Sequence, residues 1–319
     1  MLPQGAGADH ILPQGLTMKR THTTHVTTIL TILVLVASVS THLGAEEEAS
    51  SSVPEGKLYH YRDDGDTRSE IEVHFPENHD PSKPVPGVIL FHGGAWKRGD
   101  KADFRPLCAY LASRGMVAAT AHYTLAPNWK KEGAIAKRVC ITSAKSAIRW
   151  FKHNAPELGI DPERVVVGGS SAGGHIALLA TMNEGLNDPK DPTGVTTTPV
   201  AYVLFNPAVK AKIHESDNEV FFEAQLKDKL APAIVMFGTN DSWRGHFLRS
   251  YKVANEKGLM DIEFWTAPDQ PHGIVKNEPW GSLSYILVDK FLAKQGLISG
   301  EPTIDVETNG EAWILEESP

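Results

Sequence analysis

Cysteine is almost missing from this chain of 319 residues: Cys108 and Cys140 are the only two. Two are too few for a disulfide framework. Neither belongs to a CxxC pair, and no HxxxH pair accompanies them, so nothing suggests a zinc site and no metal is expected. Free cysteine packs as a small hydrophobe, which places both in the core. Positive charge is also in deficit. Lys and Arg total 31 against 39 Asp and Glu, a formal charge of −8 at pH 7. Binders of nucleic acid need a basic face to neutralise phosphates, so no nucleic-acid partner is expected. Long apolar runs are lacking as well. Residues 26–39 are mostly apolar but rich in Thr, and shorter than the roughly 20 apolar residues of a spanning helix.

What that run does resemble is a targeting segment. Lys19 and Arg20 precede it, and Ser40, Gly44 and Ala45 follow. A basic start, a short apolar centre and a small-residue end describe a secretory signal, so residues 1–45 are expected to direct export to the periplasm or beyond. Cleavage after Ala45 is the expectation, although Leu43 is larger than the usual residue there; an uncleaved membrane anchor is the alternative. Leu-Pro-Gln-Gly occurs at 2–5 and again at 12–15, an odd preface to a signal, and Met18 is expected to be the true start. Residues 46–56 are acidic and Ser-rich and read as a linker.

From 57 to 297, apolar runs alternate with amphipathic stretches. Strands are expected at 87–91, 116–123, 164–167, 201–205, 233–237 and 262–266, and helices at 134–154, 172–182, 243–257 and 279–294. In the first of these helices Val139, Ile141, Ala144, Ile148 and Phe151 are expected to share the buried face. Unbroken alternation implies right-handed β-α-β units, one domain, and a mainly parallel sheet covered on both faces. Residues 298–319 are acidic and without period, and read as a tail in which 312–315 could dock.

Chemistry concentrates in four places. Gly169-Ser170-Ser171-Ala172-Gly173 fits G-x-S-x-G between a strand and a helix, the setting of a nucleophile elbow. So sharp a turn needs small neighbours, and it offers Ser171 at the carboxyl end of the sheet beside a helix N-terminus. Ser170 is the rival, but the residue two after it is not glycine. His92-Gly93-Gly94-Ala95-Trp96 follows the 87–91 strand. There, Gly93 permits a turn that aims the N–H groups of Gly94 and Ala95, with that of Ala172, at a developing oxyanion. A serine hydroxyl needs a base, and the base an orienting acid, in the chain order Ser, Asp, His. Asp241 and His272 each follow a strand and satisfy that order. Asp269 is a rival acid, and His246 and His214 are weaker bases.

These motifs, together with His122-Tyr123-Thr124-Leu125-Ala126-Pro127, resemble the hormone-sensitive-lipase-like branch of α/β-hydrolase esterases and related bacterial carbohydrate esterases. The resemblance covers about residues 57–297. It implies an α/β-hydrolase fold with a small cap, drawn from 208–230 and from an N-terminal extension at 57–75. It also implies a serine esterase with the triad Ser171, Asp241 and His272, and no cofactor. Two positions depart from the family: Ala95 stands for a third glycine and Thr124 for an arginine. The family's sheet would set Cys108 and Cys140 on opposite faces, so no disulfide is expected between them. The substrate implied is a small or short-acyl ester. A small cap and Trp96 beside the oxyanion turn suit that reading, and export with Trp129, Trp243 and Trp280 on loops or helix starts suits an acetylated or feruloylated polysaccharide. A peptidase of the same fold, or a binding protein on a hydrolase scaffold, remains open.

Overall fold

A computed structural model describes residues 55–210, 217–317 and 319. The expected signal segment, the Met18 start, most of the 46–56 linker and His214 lie outside those residues.

Nine strands form one sheet in the order β1-β2-β4-β3-β5-β6-β7-β8-β9. They are β1 (Lys57–His60), β2 (Glu70–His74), β3 (Val85–Phe91), β4 (Val117–Ala121), β5 (Ile160–Ser170), β6 (Ala201–Phe205), β7 (Ala233–Gly238), β8 (Ile262–Ala267) and β9 (Ile314–Glu316). β4 to β8 and β3 pair in parallel, while β1, β2 and β9 add antiparallel edges. The central strands read as continuous apolar runs because both of their faces are buried. Alternate residues part cleanly. Ile89 and Phe91 of β3 face one layer with Val165 and Val167 of β5, and Val88, Leu90 and Val166 face the other.

On the first face lie α3 (Arg138–His153), α5 (Ala172–Met182) and α7 (Arg244–Glu256); on the second, α1 (Arg105–Ser113) and α8 (Trp280–Lys294). Residues Ala172 to Ala180 of α5 are buried on all sides, so its apolar content has no stripe. α3 is preceded by a 3-10 turn over Ala134–Lys137, and Val139 at its start is 47% exposed. Two residues before Ile141, Val139 lies about 160° round the helix from it, off the buried face expected for it.

Cys108 on α1 and Cys140 on α3 pack in opposite layers, both fully buried and both free thiols. Burial raises the Cys108 thiol well above its ordinary range and pushes Cys140 up to about 12. Neither thiol is therefore expected to react with a thiol-titrating disulfide reagent in native protein, and both should react in denaturant without prior reduction.

Two expectations change here. Residues 57–75 do not build a cap: β1 and β2 extend the sheet, with β2 paired to β4. The C-terminal segment is not a loose tail either. β9 pairs with β8, Trp313 is buried edge-on against Trp280 at 5.4 Å, and Glu316 binds Arg244 at 2.7 Å. Its three-residue strand is too short for a period to show in sequence. The described part of the 208–230 insert holds only a 3-10 turn (Asn218–Val220) and α6 (Phe222–Gln225), fastened to α3 by Arg138–Asp217 at 2.7 Å.

Candidate active site

β5 ends at Ser170 and α5 begins at Ala172, so Ser171 alone makes the turn. Its backbone takes φ 54° and ψ −117°, a strained conformation for a residue with a Cβ. Neighbouring glycines make room: a Cβ at Gly169 would meet the Phe91 carbonyl oxygen at 2.5 Å, and one at Gly173 would meet it at 1.9 Å. The Ser171 N–H donates to the Phe205 carbonyl (2.9 Å), tying the turn to β6.

Asp241 and His272 arrive on loops that zip together. Asn240 N–H donates to the Gln270 carbonyl (3.0 Å), and its side chain donates to the Asp269 carbonyl (3.1 Å). Gly238 lets the two loops touch, since a Cβ there would meet the Gln270 carbonyl oxygen at 2.0 Å. The Asp241 carboxylate is fully buried. Its Oδ1 accepts from the Trp243 N–H (2.8 Å), and its Oδ2 lies 2.7 Å from His272 Nδ1. His272 Nε2 lies 2.8 Å from Ser171 Oγ. The three residues chosen from sequence thus meet across 101 positions of chain.

The rivals do not take part. Ser170 is 6% exposed and bonds neither partner. Asp269 sits at φ 56° with its N–H on Thr239 Oγ1, and His246 lies on α7 with its Nδ1 2.9 Å from the Arg249 guanidinium.

The turn after β3 is strained along its length: Gly94 at φ 117°, Ala95 at 55°, Trp96 at 62°. The Gly94 carbonyl accepts from Lys97 and Arg98 N–H, while no loop hydrogen bond uses the Gly94 or Ala95 N–H among the described residues. Gly93 packs against Ser171, where a Cβ would stand 3.4 Å from the serine Cβ. The segment 122–127 braces this turn, with Tyr123 Oη donating to the His92 carbonyl (3.1 Å) and Ala126 N–H to that of Trp96 (2.7 Å). Thr124 bonds Ser143 through its N–H and its hydroxyl.

Sequence reading missed three residues at the site. His175 is fully enclosed; its Nδ1 accepts from Trp96 Nε1 (3.2 Å) and its Nε2 donates to the Val220 carbonyl (3.0 Å). It joins the turn after β3, α5 and the insert. Lys137 lies 4.1 Å from the Trp96 ring centre. Asn206, directly after β6, is 1% exposed and contacts the His272 ring. None follows a motif, because each acts through a packing that only the fold creates.

Burial, assisted by the Lys137 charge, lowers the His175 pKa to about 3; burial also takes His92 and His122 down to about 4. These rings stay neutral in the folded chain while the unfolded chain protonates them near 6.5. The unfolded state then binds more protons below pH 6.5, so stability is full above it and falls as pH drops towards 4. Urea unfolding at pH 7, 6 and 5 is expected to show that decline, up to about 1.4 kcal/mol per pH unit for each ring; flat stability would contradict it.

Ser171, His272, Gly93, Gly94, Ala95, Asn206 and Trp243 line a cavity of about 510 Å³, with Arg98, Asp100, Asp103 and Lys276 along one wall. Of the tryptophans considered as sugar platforms, Trp243 borders it; buried Trp96 borders it as well. Trp280 packs on Trp313, and Trp129 lies edge-on to Trp96 at 5.2 Å. Among the described residues no group of three or more His, Cys, Asp or Glu could hold a metal ion.

Comparison with known proteins places the fold among esterases. Esterase 2 of Thermogutta terrifontis superposes with a TM-score of 0.70 at 26% identity, over 78% of this chain and 98% of that one. Its propionate-bound form gives 0.69 over 78% and 97%. Esterase LipC of Mycobacterium tuberculosis is 34% identical over 113 residues, 34% of this chain and 26% of LipC. Carboxylesterase NlhH of the same organism is 32% identical over 128 residues, 40% of this chain and 38% of NlhH. These matches therefore span well under half of each curated relative. The profile of the BD-FAE family matches residues 71–241, more than half of the sequence. The chain belongs to the BD-FAE family, among the α/β-hydrolase serine esterases.

Proposed function

We propose that the chain hydrolyses carboxylic esters through an acyl-enzyme on Ser171. The observation that carries this is the hydrogen-bonded line Ser171 Oγ, His272 Nε2, His272 Nδ1, Asp241 Oδ2, at 2.8 and 2.7 Å. Ser171 Oγ attacks the ester carbonyl carbon and His272 takes its proton, while buried Asp241 holds the ring in the Nδ1–H tautomer and stabilises its charged form. The carbonyl oxygen becomes an oxyanion facing the N–H groups of Gly94, Ala95 and Ala172, at the positive end of α5. His272 returns the proton to the departing alcohol. Water, deprotonated by His272, then cleaves the acyl-enzyme and frees Ser171.

The substrate reading is a small or short-acyl ester. The Ala95 methyl group borders the cavity, and Trp96 is fixed behind it. The Thermogutta esterase, similar over 78% of this chain, has been solved with propionate and with butyrate bound. An acetylated or feruloylated carbohydrate fits the exposed wall of Arg98, Asp100, Asp103 and Lys276, whose charges can meet hydroxyl groups, with Trp243 as the one tryptophan placed for stacking. Hydrolysis of p-nitrophenyl acetate, butyrate and octanoate tests the reading. The acetate and butyrate are expected to exceed the octanoate in kcat/KM by about tenfold, because a longer acyl chain finds no room beside Ala95 and loses about 1.4 kcal/mol of transition-state binding. No hydrolysis of any of them by folded protein would overturn it.

A further inference from the structure

The zipped loops hold the backbone leading to His272 but leave its ring partly exposed. His272 follows Pro271 and precedes Gly273 at φ 82°, and its side chain is 33% exposed. Its two in-plane bonds, to Ser171 and to Asp241, leave the ring free to tilt about the line that joins them. Something else must fix that tilt if Nε2 is to stay aimed at Oγ.

Asn206 supplies a surface for it. Its Nδ2 lies 3.3 Å from His272 Nε2 and 3.4 Å from Nδ1. Both nitrogens already have partners in the ring plane. A group nearly equidistant from the two, with neither lone pair free, meets the face of the ring rather than its edge. An N–H against an aromatic face is a weak attraction, but a directional one. The backbone that carries the carboxamide is firmly tied, while the carboxamide Oδ1 is buried with no hydrogen-bond partner among the described residues. Asn206 is 1% exposed, and its N–H donates to the Met236 carbonyl at 2.7 Å. The preceding Phe205 carbonyl receives the Ser171 N–H, and the following Pro207 packs against Gly174 of α5. Its backbone is left-handed at φ 41°, a region that Asn tolerates better than most residues. One short segment thus anchors the nucleophile's backbone and touches the base's ring. The charged groups that face the ring are Asp241, bonded to Nδ1, and the cavity-lining Arg98, Asp100, Asp103 and Lys276, of which the last two pair with each other at 2.6 Å.

We propose that Asn206 is the positioning residue of this site: its buried carboxamide fixes the tilt of the His272 ring between Ser171 and Asp241. The proposal rests on the esterase reading above. It asks for an effect on the chemical step rather than on substrate binding.

Two substitutions keep the left-handed backbone and the Met236 bond. Asn206→Gly removes the carboxamide, and Asn206→Asp keeps its shape while adding charge against the ring. Both are to be assayed with p-nitrophenyl butyrate from pH 5 to 9, beside wild type and Ser171→Ala, after equal melting curves establish folding. Asn206→Gly is expected to lower kcat about tenfold or more with KM within about twofold, the pattern of an interaction felt in the transition state. Asn206→Asp is expected to recover much of kcat at high pH and to move the acid limb of kcat/KM upward by about half a pH unit or more, because a carboxylate favours the imidazolium. Activity of Asn206→Gly within twofold of wild type, or a loss in KM alone, would overturn the proposal. Imidazole NMR titration of wild type and Asn206→Asp reads the same charge effect without turnover. If wild type hydrolyses nothing, the esterase reading falls, yet an unmoved His272 titration in Asn206→Asp still refutes the contact, and a raised one supports it.

Discussion

Replacing Ser171 with alanine is expected to reduce ester hydrolysis by about 10⁴- to 10⁶-fold while the melting temperature stays nearly unchanged. The size follows from roles that cannot be shared. His272 Nε2 has one hydroxyl within reach, Ser171 Oγ at 2.8 Å, and the neighbouring Ser170 hydroxyl lies on the buried end of β5. Without Oγ, the oxyanion turn and the base remain, but they have nothing to activate except water. Alanine keeps the Cβ and so tolerates the φ 54° turn no better and no worse than serine. The anchoring bond from the residue 171 N–H to the Phe205 carbonyl is also kept. Ser170→Ala is the companion: it should retain most activity. Loss in Ser170→Ala with retention in Ser171→Ala would move the nucleophile by one residue and undo the proposed mechanism. An organophosphate that phosphorylates activated serines offers a second readout: mass gain on the peptide holding residues 169–173, absent from Ser171→Ala.

Gly173→Ala is expected to damage the fold and not merely the chemistry. A Cβ at this position would stand 1.9 Å from the Phe91 carbonyl oxygen and 2.5 Å from that of His92. Both obstacles are backbone atoms at the centre of the sheet, so no side chain can swing aside. Either α5 moves off β3 or the turn at Ser171 opens, and each breaks buried contacts. A cost of about 4 kcal/mol or more belongs to the rare class of severe single substitutions. For a domain of this size that corresponds to a melting temperature lower by roughly 10 °C, from a total stability that is itself only about 5–15 kcal/mol. Gly245→Ala is the contrast. In α7 a Cβ would meet only the Arg249 guanidinium at 3.6 Å, and alanine is the better helix former, so stability should hold or rise slightly. Equal melting curves for Gly173→Ala and wild type would mean that the elbow has slack these contacts deny.

The two variants separate what one short motif does. In the proposed mechanism Ser171 supplies reactivity, whereas Gly169 and Gly173 supply the closeness of β3, β5 and α5 that lets a strained residue persist. The strain is held by packing on every side: Phe205 on the N–H, the Phe91 carbonyl over the glycines, and the all-round burial of α5.

Much of this was legible in one dimension. Strong local signals carry their own geometry. The apolar runs of β6, β7 and β8 and the span of α5 follow from composition and turn residues, and G-x-S-x-G between strand and helix singles out the proposed nucleophile. The order Ser171, Asp241, His272 selects the proposed acid and base because both follow parallel strands, whose carboxyl ends share one edge. Local signals fail where an element exists only by virtue of a distant partner. Strand β9 is three residues long and forms because β8 offers an open edge, with Trp280 and Arg244 to receive Trp313 and Glu316. β1 and β2 are strands rather than a cap for the same reason. Asn206 on the His272 ring and His175 between Trp96 and Val220 were invisible, since nothing in their neighbours' identities announces a contact across 66 or 79 positions of chain. Residue types and spacing decided which groups could react. The packing of strand ends and loops decided which of them meet, because catalytic geometry is a matter of ångströms between segments that only the sheet brings together.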